Sequence, residues 1–374
     1  MNKQLLWLEN NEGMGMYIHI PFCTNICTYC DFSKMYYKKE WVDRYLEALK
    51  KEIESYHIQE TITTIYIGGG TPSSLNETQL EILLKILEPY SKQVKEYSIE
   101  VNPESMNEEK LYLLKKYGVN RLSIGVQTFN ESILKKIGRH HCNKEVFHLI
   151  EKAKAIGISN ISIDLMYNLP NQTKQDILND LNIVSKLEIT HLSYYSLILE
   201  EHTILYNEHF DGMSEEEEYE ITTLIREKLA KCDLHRYEIS NFSLEGYASL
   251  HNSVYWLNQH YYGFGLGAHG YLENCRYENT RQLSAYLKGE FLLSKEEVTQ
   301  QESMFETLML GLRLAHGVSL SIFKKRYGVD LTIEYKDKLE SFINKGLLKI
   351  KEDHLIPSDK GMDLLDFILL ELVE

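Results

Sequence analysis

Positive charge is scarce in this chain. Against 55 acidic residues stand 40 lysines and arginines, a formal net charge of −15. A nucleic-acid binder needs a basic face to neutralise phosphates, so none is expected, although a local basic patch would fit the balance. Long apolar runs are missing too. No stretch approaches the ~20 residues of a membrane span, and residues 1–16 carry neither the apolar core nor the cleavage site of a secretory signal. A cytoplasmic protein is the expectation, with peripheral membrane contact left open. Cysteine is too sparse for a disulfide framework. Three of the six (Cys142, Cys232, Cys275) are scattered and read as small buried apolar residues in a reducing compartment. The 374 residues exceed one ordinary domain, and 43% hydrophobic content is enough for a large α/β core with something smaller attached.

The other three cysteines lie together in YIHIPFCTNICTYCDF, residues 17–32. Cys23, Cys27 and Cys30 form a C-x3-C-x2-C array on a loop directly after an expected strand at 17–20. Three such thiolates supply three of the four ligands of a [4Fe-4S] cluster and leave one iron open to a small molecule carrying an amine and a carboxylate. A structural zinc site would need a fourth ligand and usually pairs two C-x2-C knuckles. No second cysteine pair exists, and His19 falls on the strand.

Downstream the chain alternates. Strands are expected at 61–67, 97–101, 121–126, 160–165 and 191–197, and helices at 39–60, 76–90, 107–117, 130–156, 173–187 and 214–232. Six strand-helix units imply parallel strands with right-handed crossovers, hence a doubly wound sheet or a complete or partial barrel. Ligands bind such folds at the carboxyl ends of the strands. The cysteine loop, Gly68-Gly69-Gly70-Thr71-Pro72, Glu100, Gln127 and Asp164 all fall there. A glycine run lets backbone approach a ligand and offers amide and carbonyl groups to a zwitterion. The run of glutamates at 215–218 reads as the acidic first turn of a solvated helix.

From residue 233 the rhythm breaks. Residues 236–271 are rich in aromatics, glycine and histidine without a clean period, a composition suited to walling a pocket for a flat apolar ligand. Residues 301–374 read as a small separate domain. Helices are expected at 304–315, from Ser319, at 335–345 and at 362–370, around a two-stranded wing within 346–361. Acidic residues predominate there, which favours a structural or docking role over DNA binding. The expected division is 1–232, 233–300 and 301–374.

The cysteine spacing, Tyr29 before the last cysteine and the preceding Tyr-x-His-x-Pro-Phe resemble the radical S-adenosylmethionine (SAM) superfamily, in the branch of the oxygen-independent coproporphyrinogen III oxidases and their relatives. The resemblance implies a partial (β/α)6 TIM-like barrel, with the C-terminal part a winged-helix-like α+β domain. It implies a [4Fe-4S] cluster on Cys23, Cys27 and Cys30, and SAM contacts from Tyr17, Gly69, Gly70, Thr71, Glu100, Gln127, Arg139 and Asp164. Glu100 and Asp164 would suit ribose hydroxyls or the amino group, and Arg139 the carboxylate.

His251, Asn252, Tyr255 and Trp256 match the H-N-x-x-Y-W signature of the HemW haem chaperones within that branch. This implies haem as a ligand, with His251 on its iron and His260 and His269 as rivals. Read without the resemblance, His251 is a hydrogen-bonded core histidine at the back of the barrel. The decarboxylating relatives have a longer N-terminal extension and a further cysteine two positions after the last cluster cysteine. Here sixteen residues precede Tyr17, and Phe32 occupies that position. The resemblance therefore implies a haem carrier that serves apoproteins such as respiratory enzymes, its cluster used for dimerisation or transfer rather than turnover. A homodimer fits this reading. The alternative is coproporphyrinogen III oxidase, which converts two propionates to vinyls. A radical SAM enzyme acting on RNA would want a basic appendage or a second cluster, and neither is in the sequence.

Overall fold

The computed structural model describes residues 3–11, 13–208 and 210–373. Six strands, β1 (Met14–Ile20), β2 (Ile62–Gly69), β3 (Glu96–Val101), β4 (Arg121–Gln127), β5 (Asn160–Tyr167) and β6 (His191–Ser196), pair in chain order, each parallel to the next. Their register aligns apolar rows across the sheet: Ile18 faces Ile67, Ile67 faces Ile99, and Ile99 faces Leu122. These side chains pack outward under helices such as Glu77–Leu87, Glu108–Lys116 and Asn143–Ala155. The helices start where sequence chemistry dictates. Asn76 with Gln79, Thr173 with Asp176 and Ser214 with Glu217 each form a reciprocal capping box. The acidic turn after Ser214 is not wholly solvated, because Glu218 accepts a hydrogen bond from Tyr167 at 3.0 Å.

The region 233–300 belongs to the same sheet. It supplies β7 (His235–Arg236), β8 (Asn241–Ser243), β9 (Tyr261–Phe264), β10 (His269–Leu272), β11 (Cys275–Asn279) and β12 (Leu292–Glu297). The twelve strands run in the order β12-β11-β10-β9-β1-β2-β3-β4-β5-β6-β8-β7. β9 is a seventh parallel strand, on the free side of β1, and antiparallel strands extend both edges. The arc stays open between β7 and β12. This is the expected partial barrel, one parallel strand wider than the alternation implied.

Three boundaries differ from expectation. The helix expected at 39–60 ends at Ser55. The first strand begins at Met14 rather than at residue 17. The helical region at 130–156 is two helices, Glu131–Lys136 and Asn143–Ala155, separated where Gly138 takes a φ of +76°. That break carries Arg139 to the cysteine loop, where Thr28 donates to the Ile137 carbonyl at 3.1 Å.

The C-terminal part has its own core of Leu308, Phe323, Leu339, Phe342, Leu355 and Ile368. Helices Gln300–Gly311, Leu320–Tyr327 and Lys336–Asn344 surround the hairpin Leu348–Lys351 and His354–Pro357, with Val318–Ser319 as a third strand. The last helix is broken into Asp359–Asp363 and Leu365–Val373. At the other terminus the helix Lys3–Asn11 sets Leu5 and Leu8 against Leu250, Val254 and Leu314.

Candidate functional site

β1 ends at Ile20, and the chain turns into the cysteine loop. Phe22–Cys23 pairs with Met35–Tyr36, closing the loop on itself. The glycine run anchors it from the next strand: the Gly70 amide donates to the Ile20 carbonyl and the Thr71 amide to the Phe22 carbonyl, both at 2.9 Å. Glycine is needed at two positions. Gly69 has a φ of +116°, and a Cβ there would lie 2.7 Å from the His19 ring, while a Cβ on Gly70 would lie 2.9 Å from Cys23 Sγ. Cys23 is buried, Cys27 and Cys30 half-buried, and all three are free. Burial pushes the Cys23 thiol up to about 11 and moves Cys30 the same way. Such thiols become ligands only when a cation displaces their protons. His19 is no fourth ligand. Its Nε2 meets the Ser33 carbonyl at 2.7 Å, its Nδ1 meets the Tyr17 hydroxyl at 3.0 Å, and burial depresses its pKa to about 4.

Beneath the loop lies a cavity of about 320 Å³ inside the barrel. Two of the strands that enclose it, β4 and β6, alternate strictly. On β4 the residues facing the cavity are Arg121, Ser123, Gly125 and Gln127, and on β6 they are His191, Ser193 and Tyr195. The intervening Leu122, Ile124, Val126, Leu192 and Tyr194 pack outward. Gln127 reaches the cavity through a β-bulge and a left-handed φ of +68°, a conformation that re-aims one side chain at a local energetic cost. Glu100 accepts from Tyr66 at 2.9 Å and from the Gly69 amide at 3.1 Å. Burial, with the nearby Asp164 charge, raises its pKa to about 7. Asp164 is also raised by burial, although the hydroxyls of Ser193 and Ser123 act against the shift. Arg139 is buried, holds the Gly125 carbonyl, and lies 4.0 Å from Cys27 Sγ and from Glu104. Its Nε has no hydrogen-bond partner among the described residues.

Cys23, Cys27, Cys30, Gly69, Gly70, Thr71, Glu100, Gln127, Arg139, Asp164 and Asn252 all line this one cavity. Tyr17 stands behind it, stacked on Tyr66 with ring centroids 6.3 Å apart. His251 lies on the short helix Leu250–Trp256, which closes the barrel at the start of β3. Glu96, the first residue of β3, accepts from the Ser249 hydroxyl and from the amides of Leu250 and His251. Both His251 nitrogens are engaged, Nδ1 with Thr64 at 2.9 Å and Nε2 with Tyr255 at 2.7 Å, and burial pushes its pKa down to about 3. This is the packed position at the back of the barrel, with no nitrogen free for an iron. Trp256 faces the N-terminal helix instead. His269 is exposed. Tyr66, Asn102, Arg121, Ser123, His191, Ser193 and Tyr195 were not singled out from the sequence, yet they line the same cavity. Polar residues at every second position of β4 and β6 were the available signal.

The fold and this rim of three thiols define a radical SAM protein. Residues 17–184 match the radical SAM superfamily, and residues 298–364 match the HemN C-terminal domain. The solved structure of coproporphyrinogen III oxidase (HemN) from Escherichia coli superposes with a TM-score of 0.83 over 98% of this chain and 92% of that one, at 22% identity, a likeness of fold. The haem chaperone HemW of Bacillus subtilis is 41% identical over 361 residues, 92% of this chain and 95% of its own. The HemW of Lactococcus lactis is 40% identical over 357 residues, covering 93% and 94%, and that of Escherichia coli is 30% identical over 368 residues, covering 95% and 97%. The chain belongs to the HemW family of radical SAM proteins.

Proposed function

We propose that this protein is a haem chaperone that carries a [4Fe-4S] cluster and SAM and passes haem to apoproteins, respiratory enzymes among them. The observation that carries the reading is the end-to-end match, at 41% identity, to a curated haem chaperone. Phe32 at the position of the decarboxylases' extra cysteine favours it over coproporphyrinogen oxidation. No helix among the described residues is long and apolar enough to cross a membrane, in keeping with a cytoplasmic carrier.

The residues fit the cofactors. Cys23, Cys27 and Cys30 would hold the cluster, and the glycine cradle, Thr71, Glu100, Gln127, Arg139 and Asp164 would hold SAM. The unpartnered Arg139 Nε is a donor awaiting an acceptor in that cavity. At about 320 Å³ the cavity is at the small end of ligand pockets, ~300–1,000 Å³, in keeping with one nucleoside-sized molecule. The cluster, when bound, supplies an electron to SAM. The protein's share is to orient the zwitterion and hold Glu100 and Asp164 in a dry site.

Haem ligation by His251 then requires Thr64 or Tyr255 to release the ring, and because His251 is 1% exposed the helix Leu250–Trp256 must also move to admit the iron. An anaerobic haemin titration of the cluster-loaded protein, followed by Soret absorbance, tests the reading with His251→Ala and His269→Ala alongside. Stoichiometric binding that weakens in His251→Ala and persists in His269→Ala supports it. A loss confined to His269→Ala moves the ligand to the surface, and no specific binding by the wild type removes the carrier function.

A further inference from the structure

Away from the barrel cavity, three side chains from distant parts of the chain converge. Glu9 lies on the N-terminal helix, His316 in the turn after helix Gln300–Gly311, and His354 at the start of the second hairpin strand. Nε2 of His316 lies 3.0 Å from Glu9 Oε2, and Nε2 of His354 lies 3.4 Å from the same oxygen. The two imidazole centroids are 4.2 Å apart, and all three side chains are at most 4% exposed. Each offers one ligand atom, all within 4.8 Å of one another.

We propose that Glu9, His316 and His354 form a site for a divalent transition-metal ion, zinc by its donor set, which pins the N-terminal helix to the C-terminal domain. Two imidazoles and a carboxylate are a recurrent zinc-binding set, and a tetrahedral ion with bonds of ~2.0–2.1 Å holds its ligand atoms about 3.3 Å apart. The observed separations of 3.0 and 3.4 Å match that edge. Charge supports the assignment. Among the described residues the ion-pair partners of the Glu9 carboxylate are both histidines, so a charge buried there is balanced by a proton or a cation. Both Nδ1 atoms are buried without a partner among the described residues, so no hydrogen bond there fixes either tautomer. A cavity of about 30 Å³, lined by neither histidine, borders Glu9 and is enough for a single water, which takes ~10–15 Å³.

The site is independent of the haem reading, and so is its test. Cluster-loaded, tag-free protein, its three cluster cysteines occupied by iron, is incubated with equimolar zinc, desalted and measured for metal content. The expectation is one zinc per chain in the wild type and a fall of at least tenfold in His316→Ala and His354→Ala at unchanged iron content. A zinc-dependent rise in melting temperature should likewise be confined to the wild type. Cobalt on the wild type decides the matter without relying on a variant's folding: intense visible d–d bands without thiolate charge transfer support a tetrahedral nitrogen and oxygen site. Wild type without retained zinc, variants that retain it equally, or a cobalt spectrum dominated by thiolate charge transfer would each overturn the proposal, leaving a proton-bridged contact.

Discussion

Glu96→Ala should increase haem affinity while it lowers stability. The carboxylate, 3% exposed, accepts from the Ser249 hydroxyl at 3.2 Å, the Leu250 amide at 2.9 Å and the His251 amide at 3.0 Å. Hydrogen bonds to a charged group contribute about 1.5–3 kcal/mol each, and truncation strands two buried amide donors. A loss of about 3–5 kcal/mol from the docked helix Leu250–Trp256 is expected, since the three bonds share one carboxylate and do not add in full. If His251 meets haem only after this helix moves, the apparent dissociation constant scales inversely with the open fraction, and ~3 kcal/mol raises that fraction roughly a hundredfold. Hydrogen exchange of the amides of residues 250–256 reads the opening, and the Soret titration reads the affinity. Glu96→Gln, which keeps one acceptor oxygen, should fall between variant and wild type. Faster exchange without tighter haem binding would refute the reasoning, because opening the helix would then have uncovered no ligand.

Two further outcomes follow from individual contacts. Gly70→Ala would set a methyl 2.9 Å from Cys23 Sγ and from the Pro21 backbone, so it should cost about 1–3 kcal/mol and lower the iron content of the reconstituted protein without unfolding the C-terminal domain. Glu52 is fully buried among Gly265, Asn279 and Tyr286, and burial raises its pKa from 4.5 to about 7. Between those values the folded state binds the extra proton, so this group's contribution is complete below pH 4.5 and is lost as pH rises to about 7. Urea unfolding of Glu52→Gln across this window should therefore show a fall in stability with pH that is smaller by up to one proton's slope, and an identical profile for variant and wild type would contradict the assignment.

Much of the barrel was legible because alternation of strand and helix is a local signal, written in β-branched runs and helical spacing. The cysteine loop and the glycine run were legible because their chemistry is concentrated in a few consecutive residues. What escaped is non-local. β9, Tyr-Tyr-Gly-Phe, pairs with β1 across some 240 residues and follows only the seven-residue helix Leu250–Trp256, too short to announce a parallel strand. The break at Gly138 hid in a helical pattern that runs through it, yet it places Arg139. The polar wall of the cavity hid in plain alternation: the apolar half of β4 and β6 identified them as strands, while the other half, Arg121, Ser123, His191 and Ser193, faces the cavity. Glu9 lies 307 residues from His316 and 345 from His354, a separation at which no spacing rule operates.

The His251 motif and the barrel cavity are neighbours in space, and their contacts give the signature a second meaning. Asn252 lines the cavity itself. The His251 ring stacks on Tyr66, with centroids 5.2 Å apart and planes 22° apart, and Tyr66 in turn donates to Glu100, which receives the Gly69 amide. A ligand that recruits Glu100 competes with Tyr66 for its oxygen and thereby alters the surface on which His251 rests. On the far side Trp256 and Leu257 reach the small cavity bordered by Glu9. One seven-residue helix thus touches the cofactor cavity and the junction with the C-terminal domain, with Glu96 holding its start. If SAM binds this cavity and haem binds His251, reciprocity applies: whatever SAM does to the freedom of His251, haem does in equal measure to SAM affinity. For a carrier, such coupling would give the radical SAM site a use that needs no turnover, since occupancy alone would decide when the histidine is released.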